Sequence, residues 1–198
     1  MTTKETEILE TASLLFSQRG IKRTSIEQIA NGSNISKKTL YQCFASKEIL
    51  VLEIVRNLLS KTEQYIRMLP EISTDATSEL VSFFQYMQIN VFVFKPLFIY
   101  DLKKFYPEIH NMIMLTRIKK FLPFFIENIE RGISEGIYRK YIDGKLTAEL
   151  YFYQMDHAME ADSIKNSDRY QVLNYINSFF LHGIINEKGQ KVLFNNFR

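Results

Sequence analysis

The sequence predicts an all-α fold, and three observations carry that prediction. Apolar residues recur at three- and four-residue spacing along most of the chain. Glycine (7) and proline (4) are too scarce among 198 residues to supply the turns of a β-sandwich or a doubly wound sheet. Hydroxyl side chains stand just before several of the apolar stripes, where helix starts need them. A hydrophobic content of 46% and an aromatic content of 14% favour a packed globule over a disordered chain. The length suffices for one large or two small domains with a sizeable core.

The elements follow in order. Thr2-x-x-Glu5 reads as a capping box, in which hydroxyl and carboxylate each satisfy a free backbone N–H. The helix behind it carries Ile8, Ala12, Leu15 and Phe16 on one face and stops near Arg19, with Gly20 as its C-cap. Ser25-x-x-Gln28 is a second capping box, opening a short helix whose Ile26, Ile29 and Ala30 face inward. Gly32-Ser33-Asn34 makes a turn, and Asn34 tolerates the positive φ such a turn asks for. Ser36 caps a third helix, about Lys37 to Phe44, anchored by Leu40 and Phe44. Ser46 caps a fourth, about Lys47 to Met68, and Pro70 to Thr77 reads as a loop. Further helices are expected near Ser78–Phe94, Pro96–Tyr106, Pro107–Thr116, Arg117–Glu135, Lys145–Asp162 and Ser167–Glu187. The breaks fall at Lys95-Pro96, Tyr106-Pro107, Gly136 to Gly144 and Asn166-Ser167, and Pro123 should kink or restart its helix.

Charge alone points nowhere, since the net is only +3 and residues 1–50 hold seven basic against five acidic side chains. Any basic patch must come from placement. The lone Cys43 leaves no partner for an internal disulfide and fits a reducing compartment. Met1-Thr2-Thr3-Lys4-Glu5 opens polar, with no secretion signal behind it. No apolar run reaches the roughly 18 residues of a membrane span. The expectation is a soluble, cytoplasmic protein with no membrane contact.

Placement is informative in residues 21–50, which read as a helix-turn-helix. The second helix of that motif lies in the major groove, its N-terminal residues meeting base edges. Here that helix begins Ser36-Lys37-Lys38-Thr39. Two lysines in a first helical turn oppose the helix dipole, a cost that negative phosphates or guanine acceptors would relieve. Thr24, Ser25, Tyr41 and Lys47 suit phosphate contacts, while Lys37, Lys38, Thr39 and Gln42 suit base edges.

Ile8 to Leu50 resembles the DNA-binding domain of the TetR family of bacterial transcription regulators. The resemblance rests on Ile8-Leu9-Glu10-x-Ala12, Leu15-Phe16-x-x-x-Gly20, Thr24-Ser25-Ile26-x-x-Ile29-Ala30, Ile35-Ser36-Lys37-x-Thr39-Leu40-Tyr41-x-x-Phe44 and Ser46-Lys47-Glu48-x-Leu50. It implies a homodimeric all-helical regulator, a repressor in the family's usual mode. Residues 1–46 would be the helix-turn-helix DNA-binding domain, and 47–198 a helical effector-binding and dimerisation domain. Ser33-Asn34 and Cys43 depart from the family pattern, which usually has Ala-Gly and often His there. Cys43 reads as an inert thiol, with redox sensing as the sharper alternative.

The aromatic-rich remainder could line a pocket for a small apolar or aromatic effector: Phe83, Tyr86, Met87, Phe98, Phe105, Phe121, Phe125 and Tyr153, with Phe92 and Phe94 in the same run. Ordinary core is the alternative for each. Leu146, Leu150, Tyr153, His157, Val172, Ile176, Phe179, Phe180 and Gly183 recur every three or four residues and suit a four-helix interface between two subunits, with an intrachain core as the alternative. The dimer would offer two recognition helices to half-sites roughly 34–36 Å apart, or a multiple of it, on a double-stranded operator. An enzyme is not expected. His110, His157 and His182 lack metal spacing, no nucleophile stands in a recognisable setting, and no cofactor is called for. A helical ligand-binding or scaffold protein without specific DNA binding is the alternative function.

Overall fold

The computed structural model describes residues 2–90, 96–159 and 169–196. Among them the elements are α1 (Thr3–Arg19), α2 (Ile26–Gly32), α3 (Lys37–Cys43), α4 (Lys47–Ile72), α5 (Ala76–Asn90), α6 (Pro96–Phe105) and α7 (Pro107–Thr116). A π-helical turn, Arg117–Phe121, then leads into α8 (Leu122–Ser134), α9 (Gly144–Met159), α10 (Arg169–Ile184) and α11 (Glu187–Asn196). The expected break at Asn166-Ser167, and residues Phe92, Phe94, Lys95 and Asp162, lie outside the described residues.

The caps form where the local sequence asks for them. Thr2 and Glu5 exchange hydrogen bonds of 2.8 and 3.3 Å, and Ser25 and Gln28 exchange bonds of 2.8 and 3.1 Å. Gly20 ends α1 at φ 81, its N–H donating to Phe16 O at 2.9 Å. α2 ends in a left-handed turn at Asn34, φ 54. There Asn34 N–H donates to Asn31 O and Ile35 N–H to Ala30 O, the paired bonds that close a helix through a left-handed residue.

Three expectations need correction. α4 does not stop at Met68; it runs through Pro70, which forgoes one backbone donor in the final turns, and the loop begins only at Ser73. The stretch 117–134 is not one α-helix. Leu122 N–H bonds Arg117 O, five residues back, and α8 restarts with Pro123 in its first turn, where a missing N–H costs nothing. The final helix α11, polar on most faces, is absent from the expected elements.

The chain forms two compact units. One comprises Met1–Lys61 and Asn90–Met114, the other Thr62–Ile89 and Leu115–Arg198. Compactness thus divides the chain differently from the expected boundary after residue 46, which separates the segment facing DNA from the rest. In the first unit α1 packs on α2 and α6, and α2 on α3. Its buried core includes Ile8, Ala12, Phe16, Ile29, Leu40, Leu50, Phe98 and Leu102.

The second unit is built on rings. Phe125, fully buried, has the rings of Phe83, Phe124, Tyr151, Phe152 and Phe180 within 5.7 Å of its own. Burying such side chains supplies most of what holds a small helical unit together. A polar network ties α5 to α8. Arg131 donates to Glu79 (2.5 Å) and Glu135 (2.6 Å), while Asn128 donates to Ala76 O (2.8 Å) and accepts from the Tyr138 hydroxyl (3.1 Å). Burial pushes the Glu79 carboxyl above its ordinary pKa, against the opposing pull of Asn128 and Arg131. Gly132 makes room for Tyr138: a Cβ there would lie 2.1 Å from the ring.

Candidate nucleic-acid interface

The interface begins with what α2 and α3 bury. Ile26, Ile29 and Ala30 of α2, with Leu40 and Phe44 along α3, turn inward, so the rest of α3 must face out. Lys37, Lys38, Tyr41 and Gln42 are all exposed. Ser36 caps α3, accepting from Thr39 N–H at 3.0 Å, and the two hydroxyls sit 2.8 Å apart. No acidic residue stands in the first turn of α3. The helix therefore presents two ammonium groups and a half-exposed hydroxyl at the end where its own dipole is positive, with an exposed phenol and amide further along. This arrangement is chemically matched to phosphates and to base-edge acceptors. Cys43 is half-buried at the end of α3.

The four residues expected to hold phosphates divide. Ser25 and Tyr41 are exposed, and the Ser25 hydroxyl, which accepts from Gln28 N–H, retains its own proton to donate. Thr24 is 1% exposed; its hydroxyl points inward and donates to Gly20 O at 2.8 Å. Lys47 is also turned inward. Its ammonium donates to Ile21 O (2.5 Å) and Thr24 O (2.6 Å), and burial pulls its pKa below the ordinary lysine value. Thr24 and Lys47 therefore bond the turn between α1 and α2, and the Thr24 hydroxyl, buried there, is not available to a phosphate. The sequence reading also passes over two residues of that turn. Lys22 and Arg23 are exposed, with Lys22 Nζ 5.0 Å from the centre of the Phe105 ring. Two adjacent cations just before a cap are the signal that could have marked them.

The eight expected pocket residues divide between the two units. Phe83, Phe121 and Phe125 belong to the ring cluster, and Tyr86 stacks on Tyr65 at 4.1 Å with Met87 half-buried beside it in sequence. Phe98 and Phe105 belong to the first unit, where Phe98 packs on Phe16 at 6.5 Å. Tyr153 faces solvent. An aromatic composition shows that side chains are to be buried; it does not show in which unit.

The expected interface residues lie on α9 and α10. Leu146 (54%), Leu150 (53%), Tyr153 (73%) and Phe179 (75%) are exposed apolar side chains on α9 and α10, and these helices pack together. His157 is exposed, and Val172 and Ile176 are partly so. A Cβ on Gly183 would meet nothing within 4 Å. Phe180 is the exception: it is buried in the ring cluster, 4.7 Å from Tyr151, so it serves this unit's own core. Exposed apolar side chains on neighbouring helices suit a docking surface.

Among the described residues no group of three or more His, Cys, Asp or Glu side chains is placed to hold a metal ion. None of the described helices is long and apolar enough to cross a membrane.

Comparison with known proteins bears on the same segment. Residues 8–54 match the model of the bacterial regulatory proteins of the tetR family. The chain is 24% identical over 146 residues to the HTH-type transcriptional repressor KstR2 of Mycolicibacterium smegmatis, covering 69% of this chain and 68% of that protein. It is 28% identical over 146 residues to the repressor of the same name from Rhodococcus jostii, covering 72% of each. Among solved structures, a TetR-family transcriptional regulator from Agrobacterium tumefaciens superposes with a TM-score of 0.75 at 20% identity, covering 93% of this chain and 98% of that one.

Proposed function

We infer, from the chain's membership of the tetR family of bacterial regulatory proteins, that it is a DNA-binding transcription regulator working as a repressor. The observation that carries this reading is the outward face of α3, where Lys37, Lys38, Tyr41 and Gln42 stand exposed above an anchor of buried Leu40 and Phe44. Lys37, Lys38, Thr39 and Gln42 reach base edges, and Ser25, Tyr41 and Arg23 hold phosphates. Two copies join through the apolar face of α9 and α10 and present paired recognition helices to a palindromic operator. Residues 1–46 carry the DNA contacts; residues 47–198 carry dimer formation and a site for a small apolar or aromatic effector. Binding of that effector favours a dimer whose recognition helices no longer fit successive grooves, and the operator is released. The protein performs no chemistry of its own and acts in the cytoplasm, where its DNA partner is.

Gel-shift titration against the DNA upstream of its own gene tests this. A complex that survives excess unrelated DNA and weakens steeply with salt is expected. Failure to form any sequence-preferring complex overturns the reading.

A further inference from the structure

We propose that Asp101 and Lys47 are positioning residues for DNA binding, acting through the turn 20–24 that delivers Arg23 and Ser25 to the phosphate backbone. This rests on the DNA-binding reading and adds to it two residues whose side chains bond the turn itself.

The turn joins α1 to α2. Part of it is held locally: Gly20 N–H bonds Phe16 O, and the Thr24 hydroxyl bonds Gly20 O. The other bonds come from far along the chain. Asp101, on α6 and 4% exposed, accepts the Lys22 N–H on its Oδ2 at 2.8 Å. Lys47, at the start of α4, donates to the carbonyls of Ile21 and Thr24. A carboxylate thus holds the turn by an N–H, and an ammonium holds it by two C=O groups. The carboxylate also sits tight against the backbone: a Cβ on Gly20, whose φ is 81, would come within 2.8 Å of Asp101 Oδ2. Asp101 and Lys47 attract one another across the same small volume.

Neither group is a cheap way to close a turn. A buried carboxylate and a partly buried ammonium each give up hydration that must be replaced by hydrogen bonds. A negative charge in a unit that approaches phosphates also opposes binding by Coulomb's law. Both costs are offset if the two charges fix the direction in which the turn leaves the unit. The next residues out are the exposed Arg23 and then Ser25, the cap that starts α2. Charge-assisted bonds suit this task because they are short and directional.

The test is operator affinity as a function of salt for the full-length dimer carrying Asp101→Ala, Asp101→Asn or Lys47→Gln, with thermal unfolding measured on each. Asp101→Ala removes the acceptor of the Lys22 N–H. Lys47→Gln shortens the side chain beyond reach of both carbonyls and, being the milder change, keeps the question open to measurement should the alanine variant not fold. Each is expected to weaken the operator complex at least about tenfold and to flatten log Kd against log salt by about one unit per lost phosphate contact. Asp101→Asn keeps an acceptor at the same place and should recover most of the lost affinity. A folded Asp101→Ala or Lys47→Gln protein with wild-type affinity and slope overturns the proposal, as does a lower melting temperature with the slope unmoved. The wild-type titration separates the two levels: if it shows no sequence-preferring complex, the DNA-binding reading itself fails.

Discussion

Replacing Lys37 and Lys38 together by glutamine should make the protein more stable and a worse DNA binder, two changes of opposite sign from one cause. Both lysines are exposed in the first turn of α3, with no acidic residue there to offset them. Like charges at a helix N-terminus cost about 0.3–1 kcal/mol each, toward the low end when solvated, so the pair costs roughly 0.6–1 kcal/mol. Relieving that cost should raise the melting temperature by about 2–4 °C per kcal/mol for a chain of this size. A lysine that meets base edges in the groove also neutralises a backbone phosphate, and each such neutralising contact contributes about 0.9 to the slope of log K against log salt. Two contacts per subunit and two subunits give about 3.6, so between about 50 and about 200 mM salt the wild type should lose roughly 150-fold more affinity than the variant. Fluorescence anisotropy with a labelled operator at several salt concentrations, alongside calorimetric melting, reads both quantities. If stability and affinity fell together, the lysines would be structural. If the salt slope stayed put, α3 would not be the element that meets the phosphates.

Three further outcomes follow from the second unit. Gly132→Ala places a methyl group 2.1 Å from the ring of Tyr138, which is fully buried and bonded to Asn128, so it should lower stability by at least about 2 kcal/mol in chemical denaturation; a neutral result would mean the ring can move. Phe179→Glu changes a residue 75% exposed in the protomer, so it should leave the melting transition of the protomer alone yet dissociate the dimer at micromolar concentration, because two-fold symmetry introduces the charge twice. Sedimentation velocity decides, and a dimer of undiminished affinity would remove the α9–α10 face from the interface. The Glu79 carboxyl, its pKa raised by burial, holds its proton more tightly folded than unfolded, so its favourable contribution is complete at low pH and is lost as pH rises through its folded pKa. Wild type should therefore lose ground to Glu79→Gln as pH rises above the ordinary carboxylate range, read in urea midpoints; a gap that ignores pH contradicts the assignment.

What the sequence made legible was what is local. The Thr2–Glu5 and Ser25–Gln28 boxes, the Ser36 cap and the positive φ at Asn34 each depend on residues three or four positions apart, and all are present. The exposed face of α3 follows from the same periodicity. What escaped depends on distance along the chain. Thr24 and Lys47 look like phosphate ligands by type, and only the three-dimensional path of the turn turns them inward. Asp101 lies 79 residues from Lys22, so no spacing announces their bond. Phe179 and Phe180 are neighbours, and one is solvent-facing while the other is core, because a helix turns about 100° per residue and the apolar stripe is narrow. Pro70 marks a loop by propensity, yet α4 carries it close to its end, where the loss of one donor is tolerable.

That the amino-terminal unit is assembled from two stretches separated by residues 62–89 has a practical side. A cassette of residues 1–61 transplanted onto another sensor would arrive without Phe98 and Leu102, baring the ring of Phe16 and leaving the Lys22 N–H without its carboxylate. A working hybrid has to bring α6 and α7 with it, so the natural cut for exchanging specificities between such regulators is a pair of cuts, not one.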